Sequence, residues 1–456
     1  MVEVLCWQCY GLCGKELPVA LILSGRPTST KTKEQTISSP LRPHRFSRVR
    51  TFDSWVQYKD FRFLWIGNFF ANSAQWLQLL SVGWLVRSLT ADSPYSGLLV
   101  VAAGGLNTLP VLIFGPWGGV LGDRLDRKKV VTVIQAFMAA IAISFAVLIQ
   151  SGHVEWWHVY VYVLLGGICW SISLPQRQAL VANTVPRESV VNAYASNVVT
   201  ITGTRIFGPL FGGVLITVLG FTWNFALEAS FYVLTVIALL PMKTPYSTSS
   251  DSARSGSPLA NLKEGISYIW KGERVILNLI VLGLIPNVIL HPVWFMLPVF
   301  TVDVLHRNAD VGGYLLAVTG LGGLIAALMI ASTGFTFRKP LILFGSILVS
   351  SVAVILFAQA QWLAAAVLLI GVMSFAQTTF RTVAGTQIQL LVPDHLRSRV
   401  TSLELYSQGF LILTSLLFGW FVDLTTVVIA IMTVGGLSLV MGTVGIFTLP
   451  RVRRLV

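Results

Sequence analysis

The sequence predicts an all-α membrane protein with twelve transmembrane helices, arranged as two pseudo-symmetric six-helix bundles. An apolar composition, regularly recurring apolar stretches and an uneven distribution of basic residues support this fold class. Of the 456 residues, 54% are hydrophobic and 11% are charged, and the mean hydropathy is +0.74. Because about a quarter of the residues of a soluble domain are charged, lipid must cover much of this surface.

The apolar stretches are about 20 residues long, which is the length that crosses a bilayer core of about 30 Å. Each must be helical, because lipid offers no hydrogen-bond partner to backbone N–H and C=O groups. The predicted spans are 63–86, 95–121, 130–150, 157–176, 192–218, 221–241, 275–301, 311–333, 340–359, 362–386, 400–422 and 425–449.

Lysine and arginine residues concentrate near both chain ends and in alternate loops, whereas the opposite loops carry little beyond Arg87 and Arg307. The positive-inside rule then predicts a multi-pass protein of the cell (inner) membrane with both termini in the cytoplasm, as an even number of spans requires. The net charge of +13 is interpreted as this topology signal. It does not predict nucleic-acid binding, which needs a clustered basic face in water.

The chain is predicted to divide into four regions. Residues 1–55 are polar and basic, and they are expected to form a disordered cytoplasmic tail, or to result from a start codon assigned too early. Residues 56–241 form the first bundle, and 242–274 form a Ser/Pro-rich cytoplasmic linker with an interfacial helix. Residues 275–456 form the second bundle.

Two short matches relate the predicted bundles. Val185-Pro186 recurs as Val392-Pro393, and Leu210-Phe211-Gly212 recurs as Leu417-Phe418-Gly419, each 207 residues further along the chain. The shared offset on corresponding segments predicts a duplicated six-helix unit.

Cysteine usage predicts no metal site, cofactor or disulfide framework. Cys6, Cys9 and Cys13 crowd the N-terminus, but no histidine or second cysteine pair completes a zinc set. Cys169 lies within an apolar span and is interpreted as a small buried residue.

The loop between the second and third spans combines glycines with charges of both signs, from Gly118 to Lys129. The glycines allow two helices to approach closely. Asp123 is able to cap the N-terminus of a helix, and Arg124 and Arg127 are able to bridge to carboxylates or to helix C-termini. Such contacts would hold one conformation and break in another.

This loop resembles motif A of the major facilitator superfamily, Gly-x-Leu-x-Asp-Arg-x-Gly-Arg-Lys, although Asp126 stands where the motif has its second glycine. The resemblance implies the major facilitator fold, a transport function and a cytoplasmic latch. The residues assigned to the latch are Gly119, Asp123, Arg124, Arg127 and Lys128.

Further segments are similar to the drug and siderophore exporter branch of that superfamily, and the resemblance runs from about residue 55 to the end. These segments are Tyr58–Asn68, Phe114–Gly119 and a fifth-span segment that resembles the antiporter motif, with Thr204 in place of a motif glycine. The fifth-span motif residues are Arg205, Gly208, Pro209, Gly212 and Gly213.

Charged residues inside membrane spans are costly and mark function or pairing. The sequence places Arg205, Glu228, Arg381 and Glu404 there, together with His291. One interpretation is structural pairing of Arg205 with Glu228 and of Arg381 with Glu404. The other is that a carboxylate alternates between a protonated and a paired state, which makes Glu228 and Glu404 candidates for proton coupling.

Polar residues also follow single helical faces, and the resemblance implies that spans one, four, seven and ten line a central cavity. The alternative is that these side chains only form hydrogen bonds between helices. The predicted cavity residues are Asn68, Asn72, Gln75, Trp170, Gln176, Asn287, His291, Gln377 and Arg381.

The function expected from this resemblance is secondary active transport, with export of amphipathic small molecules in exchange for protons. The expected mechanism is alternating access by a monomer in the bilayer. An importer or facilitator, a channel and a non-transporting receptor are alternatives. A membrane-embedded enzyme is a further one, but the chain contains no HExxH, GxSxG or P-loop motif.

Overall fold

The computed structural model describes residues 52–114, 125–246, 267, 270, 274–333, 338–392 and 408–453, with the backbone alone at 331–333. Within these ranges the regular secondary structure is helical. Gly119, Asp123, Arg124 and Glu404 lie outside the described residues, as do most of the predicted tail and linker.

Twelve helical segments in the described part of the chain correspond to the twelve predicted spans. Ten stretches are long and apolar enough to cross a membrane; of the other two segments, α1 has 31 residues but is more polar, and the described part of α11 has 14. The segments are α1 Lys59–Leu89, α2 Ser96–Leu106, α3 Arg127–Gln150, α4 Trp156–Asn183, α5 Val190–Leu219, α6 Phe221–Leu239, α7 Arg274–Leu284, α8 Ala309–Thr333, α9 Lys339–Ala358, α10 Leu363–Leu391, α11 Leu411–Leu424 and α12 Val427–Thr448.

The seventh span is interrupted after α7. A π-helical turn, Ile285–Ile289, and two short helices, Pro292–Phe295 and Leu297–Asp303, complete it. Each piece has a proline at its first or second position, where proline interrupts the preceding helical hydrogen bonds. Membrane proteins tolerate such breaks because neighbouring helices can satisfy the exposed backbone groups.

Helices α1–α6 pack as one bundle and α7–α12 as another, and two helix pairs join them: α5 with α8, and α2 with α11. The pairs are equivalent under the predicted duplication, because α11 corresponds to α5 and α8 to α2. Large apolar side chains such as Val133, Phe137 and Val147 are exposed on the outside of the bundles, where lipid would cover them. The structure therefore confirms the predicted fold class.

Glycines allow both joining pairs to pack closely. A Cβ atom at Gly213 of α5 would lie 2.6 Å from the Ala309 carbonyl oxygen of α8. A Cβ atom at Gly419 of α11 would lie 2.8 Å from Leu98 Cα of α2. Small residues at such crossings permit the backbone contact on which helix association in lipid depends.

On the side of the molecule opposite the chain termini, polar contacts also join the bundles. The Asp423 carboxylate accepts hydrogen bonds from the N–H groups of Gly97 and Leu98 at 2.8 and 2.9 Å, at the start of α2. Arg87 Nη2 donates to Asp303 Oδ1 at 2.6 Å. In this conformation, these contacts close that side of the interface between the bundles.

The predicted end of the fourth span is wrong. The predicted span ends at residue 176, but α4 continues to Asn183 through an internal proline, Pro175. Arg177 therefore lies in a helix with 4% of its surface exposed, instead of in a cytoplasmic loop. Its guanidinium group finds partners inside the first bundle, which offset the cost of burying the charge.

Candidate functional site

Polar residues inside the membrane spans form two separate groups. The first, the carboxylate cluster, comprises Tyr162, Arg177, Glu228 and Tyr232 and lies within the first bundle. The second, the arginine cluster, comprises Trp76, Arg205, His291, Trp294 and Arg381 and lies between the bundles.

Glu228 is the centre of the carboxylate cluster. Its side chain is fully buried on α6, and its Oε1 accepts a hydrogen bond of 2.6 Å from the Tyr162 hydroxyl group of α4. Tyr232, one helical turn further along α6, faces the same carboxyl group. Glu228 Oε2 is buried with no hydrogen-bond partner of ordinary geometry among the described residues. The predicted pairing of Arg205 with Glu228 is wrong, because Glu228 accepts from Tyr162, whereas Arg205 lies over the Trp76 and Trp294 rings.

Aromatic rings surround this carboxyl group. The Phe145 and Tyr162 rings stack with centroids 4.5 Å apart, and Phe225 meets both of them edge-on at 4.9 and 5.4 Å. The environment is therefore apolar apart from the two tyrosine hydroxyl groups. In such an environment the local dielectric constant is low, so a hydrogen bond donated to the carboxyl group is stronger than it would be in water.

Arg177 completes the carboxylate cluster. Its Nη1 donates to Asn72 Oδ1 at 3.1 Å, and its guanidinium group lies 5.2 Å from the centre of the Trp170 ring. The charges of Arg177 and Glu228 both act on Tyr232. Tyr232 and Arg177 also line one small space in the first bundle.

Asn68 and Asn72 take part in contacts between helices. Asn68 Nδ2 donates to Asn197 Oδ1 at 2.9 Å, and Asn72 Nδ2 donates to Thr200 Oγ1 at 3.4 Å, so both residues of α1 are bound to α5. Both are buried. In this conformation they follow the alternative of hydrogen bonding between helices, not exposure to a cavity.

Arg205 is the centre of the arginine cluster and lies on α5. Its guanidinium carbon is 5.5 Å from the centre of the Trp76 ring on α1 and 4.7 Å from that of Trp294 in the seventh span. Its Nε and Nη2 atoms are buried and have no hydrogen-bond partner within the described residues. Aromatic faces attract a guanidinium group, but they accept no ordinary hydrogen bond from its edge.

Arg381 brings a second positive charge from the other bundle. Its Nε and Nη2 donate to Asn287 Oδ1 at 3.1 and 2.8 Å, which joins α10 to the π-helical turn. Arg381 is exposed although it lies well inside α10. The positive charge of Arg381 lies near that of Arg205, and both charges lie near His291.

His291 lies beside two aromatic rings in the interrupted seventh span. Its ring centre is 4.8 Å from that of Trp294 and 5.4 Å from that of Phe295. Phe295 packs directly on Gly104 of α2, where a Cβ atom would collide with its ring. The proline interruptions therefore bring His291 and Trp294 to the interface between the bundles.

The remaining predicted cavity residues are divided between the bundles. Trp170 and Gln75 are partly buried in the first bundle and line one small space with Arg177. Gln176 is 2% exposed and Gln377 of α10 is 4% exposed. Both amide atoms of Gln377 are buried without a partner among the described residues.

The fifth-span motif packs α5 against two neighbours. Gly208 and Gly212 face Trp76 and Leu77 of α1, where added Cβ atoms would each come within 2.7 Å. Gly213 faces α8, and Pro209 lies inside α5 without ending it. The motif therefore holds Arg205 between α1 and α8, next to both aromatic partners.

The described part of the motif A loop begins α3. Asp126 caps this helix, because its Oδ1 accepts from the backbone N–H groups of Lys128 and Lys129 at 2.9 and 3.3 Å. Lys128 Nζ donates to the carbonyl groups of Leu240 and Met242 at 2.8 and 2.7 Å. Arg127 is the first residue of α3. The observed Lys128 contact thus lies within the first bundle, at the end of α6.

Sequence reasoning missed the partners that define both clusters. Tyr162 and Tyr232 are not among the predicted site residues. Tyr232 nevertheless stands four residues after Glu228 on α6, which places both on one helical face. Trp76 and Trp294 carried no signal, because their contact with Arg205 joins three distant segments of the chain.

Residues 53–454 match the family model described as a transmembrane secretion effector. The staphyloferrin A transporter of Staphylococcus aureus is 21% identical over 78% of this chain and 88% of its own length. The enterobactin exporter of Escherichia coli O81 is 24% identical over 72% of this chain and 79% of its own. A Na⁺, Li⁺, K⁺/H⁺ antiporter of Planococcus maritimus is 22% identical over 73% and 82%.

Among solved structures, a nucleoside transporter is similar with a TM-score of 0.71 and 13% identity. The match covers 85% of this chain and 99% of the nucleoside transporter. At this identity the likeness concerns the fold.

Proposed function

This chain belongs to the transmembrane secretion effector family of major facilitator transporters, and from that membership we propose that it exports an amphipathic small molecule in exchange for protons. Relatives described as an enterobactin exporter and as a cation/H⁺ antiporter support the direction and the coupling ion. We therefore propose a transporter and not an enzyme. The proposed functional unit is a monomer in the cell (inner) membrane.

The buried carboxyl group of Glu228 is the observation that carries the proposal. It lies inside a bundle of a transporter, it has two tyrosine side chains as neighbours, and it is not neutralised by Arg205. A membrane-embedded carboxyl group of this kind is a typical site of proton relay. Glu404, the other predicted candidate, lies outside the described residues.

The proposed mechanism is rocking of the two bundles about the α5–α8 and α2–α11 pairs. The side with the chain termini would face the cytoplasm, so the contacts of Arg87 and Asp423 would close the external side in this conformation. The motif A loop, through Asp123 and Arg124, is proposed to latch the cytoplasmic side in the opposite conformation. The arginine cluster would alternately face each side, because it draws residues from both bundles.

Everted membrane vesicles containing the full chain test the proposal. The compounds to use are those to which expression of the chain gives growth resistance in an efflux-deficient host. In vesicles with an acidic lumen, addition of such a compound is expected to release protons, reported by a fluorescent pH-gradient probe. Compound uptake should also stop when an uncoupler is added. Uptake that ignores the uncoupler and releases no protons would contradict proton antiport.

A further inference from the structure

We propose that the arginine cluster binds an anionic group of the transported molecule, most simply a carboxylate, so that the substrate class is organic anions. This inference rests on the proposed transport function and adds the charge of the substrate. It starts from Arg205, whose surroundings differ from those of Arg177, which is buried inside the first bundle.

The two arginines are satisfied in different ways. Arg177 donates a hydrogen bond to Asn72 inside one bundle and lies over the Trp170 ring, and among the described residues its Nε alone is buried without a partner. Arg205 lies over two indole rings, and its Nε and Nη2 are buried without an acceptor in the part of the chain that the structure describes. Guanidinium edges match carboxylate geometry, because two parallel N–H groups can donate to the two oxygens.

The indole rings also restrict which ligand atoms can reach Arg205. Trp76 and Trp294 come from different bundles, and the guanidinium carbon of Arg205 lies 5.5 and 4.7 Å from their ring centres. Gly323 of α8 lies near Nη1: an added Cβ atom there would lie 3.7 Å from Nη1 and 3.1 Å from Thr378 Oγ1 of α10. Gly323 therefore keeps α8 and α10 close together beside the guanidinium group.

The electrostatics of the site favour a negative ligand. Arg381 and Arg205 carry the same charge, come from opposite bundles, and both lie near His291. A carboxylate between them would replace repulsion across the interface by attraction to both bundles. In the described region, the buried carboxyl group of Glu228 cannot serve this purpose, because it bonds to Tyr162 within the first bundle.

Aromatic surface beside the charge indicates the rest of the ligand. Trp76 and Trp294 both border Arg205, so an apolar or aromatic body could pack beside them while its carboxylate meets Arg205. An organic amine would meet two guanidinium groups instead and would be rejected.

Binding to the purified full chain, measured by isothermal calorimetry, tests this assignment. The probes are 1-naphthoate, its amide and 1-naphthylmethylammonium, which share one aromatic body and differ in charge. We expect 1-naphthoate to bind about tenfold or more tightly than the amide, as a charge-assisted hydrogen bond allows, and the ammonium compound to bind most weakly. No binding of 1-naphthoate, or equal binding of acid and amide, would overturn the proposal.

Variants locate the site. Arg205→Gln should lower 1-naphthoate affinity about tenfold and leave amide affinity within about twofold, whereas Arg205→Lys should retain part of the preference, because it keeps the charge. Arg307→Gln, which removes an exposed charge outside the spans, is the matched control and should retain the full preference. An unchanged preference in Arg205→Gln would also overturn the proposal. If that variant fails to fold, Trp294→Phe provides the second test, with a weaker but still selective loss of 1-naphthoate binding expected.

The same measurements separate this inference from the proposed function. Selective carboxylate binding without proton release in vesicles would contradict antiport alone. Proton-coupled export of neutral or cationic compounds by a chain that does not bind 1-naphthoate would contradict the anion site alone.

Discussion

The carboxylate cluster and the arginine cluster differ in how the fold holds them. Tyr162, Arg177, Glu228 and Tyr232 all belong to one bundle, so rocking of the bundles need not change their mutual contacts. The arginine cluster takes Arg205 from one bundle and Arg381 from the other, so the same motion must change it. We therefore propose a division of labour, in which the carboxylate cluster is a fixed site that binds the proton and the arginine cluster is a divided site that binds the substrate.

The largest effect should come from removing the titratable group of the fixed site. Glu228→Gln keeps the shape and can still accept the Tyr162 hydrogen bond, but it cannot bind and release a proton. We expect gradient-driven transport in proteoliposomes to fall to the level of empty liposomes, while exchange of labelled for unlabelled substrate continues.

Glu188→Gln is the control for this variant, because Glu188 is an exposed acid outside the long helices. It should transport like the unmodified chain. Gradient-driven transport by Glu228→Gln at the normal rate would remove the fixed site from the mechanism.

A bulky residue at the α5–α8 crossing should destabilise the interface between the two bundles, in which the arginine cluster lies. Gly213→Val would push a side chain against the Ala309 carbonyl group and Gly313, with an expected cost of about 1–3 kcal/mol in the free energy of unfolding. Gly203→Val lies on the same helix, where an added Cβ meets nothing within 4 Å, and serves as the control. Thermal unfolding should show a lower Tm for the first variant alone, and equal Tm values would argue against the tight crossing.

Glu228 and the glycines of the fifth span show what the sequence could and could not predict. Glu228 could be predicted as a site residue, because a carboxylate inside a membrane span usually marks function or charge pairing. The glycines of the fifth span could be predicted because they match a known motif. The partners of Glu228 could not be read, because Tyr162 lies 66 residues away and joins it only through the packing of α4 on α6. Arg177 was misassigned because a basic residue at the end of an apolar run also fits the positive-inside rule.

The arginine cluster was harder still to predict from sequence. The alignment of Trp76, Arg205 and Trp294 depends on the rotation of three helices and on the proline breaks in the seventh span. Polarity alone grouped Arg205 with Glu228, because opposite charges inside a membrane usually pair. The structure turns those two side chains in different directions.

A moderate effect is expected when Glu228 keeps its carboxyl group but loses a donor. Tyr162→Phe removes the 2.6 Å hydrogen bond and leaves a buried acceptor short of a partner, at a cost of about 1–3 kcal/mol. The variant should unfold at a lower temperature and transport more slowly without losing coupling. Tyr246→Phe, at an exposed tyrosine, is the control, and similar Tm values for the two variants would contradict the role of the Tyr162 hydroxyl group.

The smallest effect should come from the exposed contact between Arg87 and Asp303. Their side chains are 17% and 40% exposed, and an ion pair of this kind contributes about 0.2–1 kcal/mol. A double-mutant cycle with Arg87→Gln and Asp303→Asn, measured by thermal unfolding, should give a coupling energy in that range that declines with added salt. A coupling well above it would mean that this contact, rather than the helix crossings, holds the bundles closed.

Infrared difference spectroscopy between acidic and alkaline pH tests the division of labour most directly, because it detects the proton on a buried carboxyl group. If Glu228 carries the proton, a protonated-carboxyl band should disappear in Glu228→Gln. The band should persist in Arg205→Gln, because the two clusters are separate. A band that survives in Glu228→Gln, or that is lost in Arg205→Gln, would contradict the account.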